Sequence, residues 1–86
     1  MNIQEELEKF RDGLLQQRDE LHVQLNLAKL EVRKEWEETE KKLEHFKAKL
    51  EEVSGEAKAA SKDVWARVKI LGEEIEHAYE RIKRHL

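Results

Sequence analysis

The chain has 86 residues, 43% of them charged and 6% aromatic, with no proline and no cysteine. That composition excludes disulfide staples, thiolate metal sites and cysteine nucleophiles, and the length leaves little material for a deep single-chain core. The net charge of −3, from 20 acids and 17 bases, argues against a nucleic-acid binder, which would show a basic face.

The first predicted element is a helix over residues 2–53. Asn2 with Glu5 three residues on forms a capping box. The acidic start lacks the basic block and apolar core of a signal peptide. No apolar run approaches the roughly 20 residues that span a bilayer. The expectation is a cytoplasmic protein. From Ile3 the apolar residues run Leu7, Phe10, Leu14, Leu21, Leu25, Ala28, Val32, Trp36, Leu43, Phe46, Leu50 and Val53. The steps are mostly threes and fours, which places them in one stripe. Thr39 fills the step after Trp36, and Gln17 is a polar gap. Leu7, Leu25 and Leu43 share a register, as do Leu14, Val32 and Leu50. The spacing is five turns at about 3.6 residues per turn. It predicts a nearly straight rod, with local unwinding near Gln17-Arg18 and Glu35-Trp36. Val23, Leu27 and Leu30 fall on the opposite side, so this stretch is apolar on two faces and predicts a second contact.

A turn is predicted at residues 54–57. Ser54-Gly55 is the plausible break, with Gly55 able to end a helix in the left-handed conformation; a lone glycine costs a helix only about 1 kcal/mol, so an unbroken rod is the alternative. A return helix follows over 58–85. Ser61, Val68, Ile75 and Ile82 occupy one heptad core position. Ala57, Val64, Leu71, Ala78 and His85 occupy the other. Beside that seam runs a column of Trp65, Gly72, Tyr79 and Leu86. There Gly72 lets a neighbouring helix or ring come close.

These elements predict an all-α fold: an antiparallel hairpin of one long and one short helix, built into an oligomeric coiled coil. A long helix of ~75 Å and a return of ~42 Å are unequal. The hairpin core comprises Val32, Trp36, Leu43, Phe46, Leu50, Val64, Trp65, Val68, Leu71, Ile75, Ala78, Tyr79 and Ile82. Ile3, Leu7, Phe10, Leu14, Leu21, Val23, Leu25, Leu27 and Leu30 then lack an intrachain partner and form an oligomer interface. Each large apolar side chain left in water forgoes roughly 1.5–3 kcal/mol. The partner this implies is the chain itself, as an antiparallel C2 dimer. A tetramer needs only a further interface.

The stretch Gly55-Glu56-Ala57 … Asp63-Val64-Trp65-Ala66-Arg67-Val68-Lys69 … Gly72 … Ala78-Tyr79-Glu80-Arg81-Ile82-Lys83 resembles the C-terminal signature of short bacterial coiled-coil proteins. These occur in proteobacteria and cyanobacteria and are often labelled stress-response or hypothetical. The pattern is Trp65, Lys69, Gly72 and Ala78-Tyr79. The family often has a second Trp where this chain has Tyr79, and an aromatic where it has Lys58. The likeness covers roughly the last third. It implies a small cytoplasmic coiled-coil protein and no defined activity.

Four histidines raise the question of metal. Glu74-x-x-His77 has the spacing of di-iron bundles, and Asp19-x-x-His22 echoes it. A di-metal site needs two such motifs and further glutamates facing inward. Both pairs lie off the apolar seams, so no metal or other cofactor is expected. No phosphate loop, nucleophile elbow or zinc motif is present. The expected function is a non-enzymatic structural or interaction module that scaffolds or binds protein partners. The alternative is an apolipoprotein-like protein with its stripe on a lipid surface. The acidic balance and narrow stripe argue against a membrane partner.

Overall fold

The computed structural model describes residues 3–55 and 62–86, the side chains of Ser54 and Gly55 excepted. It is all-helical, in the order α1 (Ile3–Gln24), a 3-10 turn (Leu25–Leu27), α2 (Leu30–Gly55) and α3 (Lys62–Arg84). The three helices lie side by side in a body of 45 × 20 × 16 Å.

The main correction concerns the long helix. It does not run unbroken over 2–53; it stops at Gln24, makes one tight turn and restarts at Leu30. Ala28 is extended there, at φ −80° and ψ 150°, and its N–H donates to the Leu25 carbonyl at 3.0 Å. The helices of 22, 26 and 23 residues are ~33, ~39 and ~35 Å long. The length mismatch that demanded a second chain is gone. Breaking a few helical hydrogen bonds near Leu25 costs little, because each contributes only about 0.5–1.5 kcal/mol net. Folding α1 back buries Leu7, Leu14 and Leu21, at 3%, 2% and 6% exposure. Three buried leucines outweigh that cost.

The helices run up, down and up. Phe10 of α1 meets Phe46 of α2, and Arg18 further along α1 meets Glu40 earlier in α2. Gly72 of α3 meets Phe46, and Arg81 meets Glu35. Thus α2 is antiparallel to both neighbours, and α1 is parallel to α3. The stripe of α2 faces inward through Val32, Trp36, Leu43, Phe46, Leu50 and Val53. Thr39 sits among them at 2% exposure, and its hydroxyl donates to the Glu35 carbonyl at 2.7 Å. This buried polar side chain, the only one among the described side chains of α2, is therefore satisfied locally. Gln17-Arg18 and Glu35-Trp36 lie within regular α-helix.

The buried face of α3 is rotated from the expected seam. Val68, Ile75, Ala78 and Ile82 are buried, and so is the neighbouring column of Trp65, Gly72 and Tyr79. Val64 is 36% exposed and Leu71 only partly covered. A hairpin would press one narrow seam on one neighbour, whereas α3 lies against both α1 and α2. The wider contact draws the aromatic column inward. Gly55 closes α2 as its last helical residue, and no glycine among the described residues has positive φ. The left-handed cap expected there is not used. The capping role of Asn2, the turn beyond Gly55 and the start of the return helix at residues 56–61 lie outside the described residues.

Gly13 lies exposed in the middle of α1, and a Cβ built there meets nothing within 4 Å. Gly13→Ala is expected to raise stability by about 0.5–1 kcal/mol through helix propensity alone. A urea midpoint equal to or below that of the parent chain would show that α1 is not a regular helix there.

Candidate functional site

Two features stand out once the stripe is buried. The first is a set of polar and aromatic side chains near the upper end of the bundle, on the side where α1, α2 and α3 converge. Arg18 reaches from α1 to Glu40 on α2. Its Nε donates to Oε1 at 2.6 Å and its NH2 nitrogen to Oε2 at 2.8 Å. This two-pronged geometry suits guanidinium and carboxylate. The bond to Glu40 raises the Arg18 pKa further above its ordinary value, against a smaller opposing effect of burial. On the other side of α2, Arg81 Nε of α3 donates to Glu35 Oε1 at 2.9 Å. The two ion pairs tie α2 to each neighbour.

Near them aromatic rings meet at a tilt. Trp36 and Tyr79 have ring centroids 5.9 Å apart with planes at 34°, and His22 lies 5.9 Å from Trp36 with planes at 44°. Such pairs add about 0.5–1.5 kcal/mol beyond area burial. Tyr79 is 2% exposed, and its buried hydroxyl has no hydrogen-bond partner. Burial pushes its pKa up to about 12, with the Glu40 carboxylate acting in the same direction and Arg18 against it. The phenol is therefore held neutral and is no nucleophile near neutral pH.

The second feature is apolar. Val23, Leu27 and Leu30 are 76%, 93% and 67% exposed. They fall within eight residues at the corner joining α1 to α2. The C-terminal residues reach the same end of the bundle, where His85 borders a shallow groove with Lys29, Val32 and Glu35. Leu86 adds a further 40% exposed side chain. Single surface aliphatics need no explanation, whereas three strongly exposed ones within eight residues make this corner the candidate contact surface.

The predicted site residues therefore divide. Of the expected oligomer interface, Leu7, Leu14 and Leu21 are buried inside the chain, and Phe10 and Leu25 pack partly against the same core. That correction has one cause: α1 folds back on its own chain. Ile3 is 38% exposed. Val23, Leu27 and Leu30 remain as an outward apolar face. Of the expected hairpin core, Val64 and Leu71 sit at its margin, and the rest are buried. The Arg18–Glu40 pair was not anticipated. No sequence signal could reveal it, because 22 residues separate its members and both look like ordinary surface charges.

Glu74 and His77 are both exposed on α3. No group of three His, Asp or Glu side chains among the described residues could hold a metal ion. The grooves between the helices are lined chiefly by charged side chains, as at Glu31, Lys34, Glu38 and Lys42. No helix among the described residues is long and apolar enough to cross a membrane. No family model, curated protein or solved structure matches the chain.

Proposed function

We propose that this protein is a non-enzymatic interaction module, a cytoplasmic helical scaffold that associates with a second copy of itself and presents a surface to protein partners. The observation that carries this reading is the exposed corner of Val23, Leu27 and Leu30. Covering an apolar side chain of this size is worth roughly 1.5–3 kcal/mol when complete. Three in one patch suffice for a weak, concentration-dependent contact. The expected product is an antiparallel dimer, with a tetramer as its extension. The resemblance of the α3 sequence to short bacterial coiled-coil proteins, some labelled stress-response, accords with such a role. In this chain Trp65, Gly72, Ala78 and Tyr79 of that signature face the core, while Lys69 faces outward.

The lipid-surface alternative is less well supported. Its stripe is the one that α1 and α2 turn inward. Helicity that arises only when anionic vesicles are added would favour it nonetheless.

Sedimentation equilibrium from low micromolar to submillimolar concentration tests the proposal. The expected result is a folded monomer at the dilute end and a dimer at the concentrated end. Leu27→Lys should weaken the association without loss of helicity. A monomer across the whole range would sink the self-association reading.

A further inference from the structure

Apart from Asn26, the bend between α1 and α2 is built from residues that suit a helix as well as a turn. Leu25-Asn26-Leu27-Ala28-Lys29 contains neither glycine nor proline, and leucine, alanine and lysine are among the better helix formers. Ala28 is extended there, yet nothing in an alanine demands it. A side-chain bond helps to hold the bend, from the Arg33 guanidinium to the Asn26 carbonyl at 2.9 Å.

The apolar register also ignores the bend. Leu21, Leu25, Ala28 and Val32 continue the steps of four, three and four straight through it. Leu7 and Leu43, both buried, stand ten turns apart at about 3.6 residues per turn. In the closed bundle Leu25 and Ala28 already pack against the core from the bend, although a loop does not require the two helices to share one phase. One helix running through the bend does, because it keeps both core faces on a single side.

We propose that the chain has a second, domain-swapped state, which rests on the self-association reading above and gives it a form. In it, residues 25–29 become helical and α1 and α2 merge into one rod. Each α1 leaves its own bundle and takes the same seat against α2 and α3 of a second copy. The two rods run antiparallel about a two-fold axis through their hinges. The contacts of Arg18 with Glu40, and of Phe10 with Gly72 and Phe46, are remade between copies. At the centre the hinges cross with the apolar stripes turned toward each other, and the Val23, Leu27 and Leu30 faces, on the opposite side of each rod, point outward and are left for the further contact of a tetramer. Closed and swapped states share one core, so the hinge conformation and the protein concentration set the balance between them.

Two sets of variants test this. Lys29→Pro suits the closed bend, because Ala28 already has the extended conformation preferred before proline, and proline is accepted at a helix start. It breaks a helix running through. Lys29→Pro should retain the helicity of the parent chain and weaken dimerisation about tenfold or more. The second set is Arg18→Glu in one chain and Glu40→Arg in another. Each alone opposes like charges between α1 and α2. In a swapped mixed dimer both ends carry opposite charges. After joint refolding from urea, native mass spectrometry should find mixed dimers above the share expected from random mixing. If Lys29→Pro dimerises like the parent, or if the charge variants mix at random, the swap is overturned while the self-association reading survives. If the parent chain forms no dimer at any concentration, both fall.

Discussion

Phe46→Ala is expected to lower the unfolding free energy by about 3–5 kcal/mol, enough to bring a bundle this small to the edge of unfolding at ambient temperature. Phe46 is fully buried midway along α2. Its ring meets that of Phe10 edge-on, with centroids 6.4 Å apart and planes at 69°. Both rings occupy the space that a side chain on α3 would need. A Cβ at Gly72 would lie 2.8 Å from Phe10 Cε1 and 3.0 Å from Phe46 Cε2. This is the point where all three helices meet, and the missing side chain of Gly72 makes room for two rings. Removing the Phe46 ring leaves a cavity that neighbours on three separate helices must collapse to fill. Domains have about 5–15 kcal/mol in total, and the smallest lie at the low end.

The converse change makes the same point from the other side. Gly72→Val adds bulk where none fits and is expected to cost about 1–3 kcal/mol. Gly72→Ala is a gentler case, because a gain in helix propensity of about 1 kcal/mol offsets part of the clash, and the partly exposed Phe10 ring can move aside. Urea denaturation followed by circular dichroism gives the order directly. A Gly72→Val chain as stable as the parent would mean that the three helices do not converge there.

The second large effect is alkaline. Tyr79 ionises near 10 in the unfolded chain and at about 12 in the bundle, because burial disfavours the phenolate and the Glu40 carboxylate adds to the effect. Between these values the unfolded chain releases the proton and the bundle keeps it. The folded state then binds more protons, so stability falls as pH rises. The contribution is intact below about pH 10 and lost by about pH 12, and over two units it amounts to roughly 2–3 kcal/mol. Tyr79→Phe should be neutral or stabilising by up to about 1 kcal/mol near pH 7, since it removes a buried hydroxyl without a partner. It should also flatten the alkaline limb. Lysines and other groups titrate in both chains, so the difference between the two curves isolates Tyr79. Parallel curves from pH 9 to 12 would show that the hydroxyl is solvated.

Much of this architecture is written locally. The absence of proline, the steps of three and four from Leu7 to Val53, and the pattern from Trp65 to Ile82 determine that the chain is helical. They also determine which side chains seek cover. In α2 the apolar stripe read from the sequence and the buried face coincide, because neighbours three and four residues apart share one side of a helix whatever covers it. The cluster of Val23, Leu27 and Leu30 was legible for the same reason, as aliphatics on the side away from the stripe.

What covers those faces was decided only in three dimensions. Apart from the lone Asn26, nothing in Leu25-Asn26-Leu27-Ala28-Lys29 announces a bend. It forms because burying Leu7, Leu14 and Leu21 against the chain's own α2 and α3 outweighs a few helical hydrogen bonds, and that comparison involves residues far apart in sequence. The same holds for the rotated face of α3, where contact with two neighbours drew Trp65 and Tyr79 inward and left Val64 at the edge. It holds again for Arg18 and Glu40, which become partners only once α1 has folded back. Periodicity records the direction in which each helix must be covered, while the choice of cover belongs to the balance between a local hinge and distant packing.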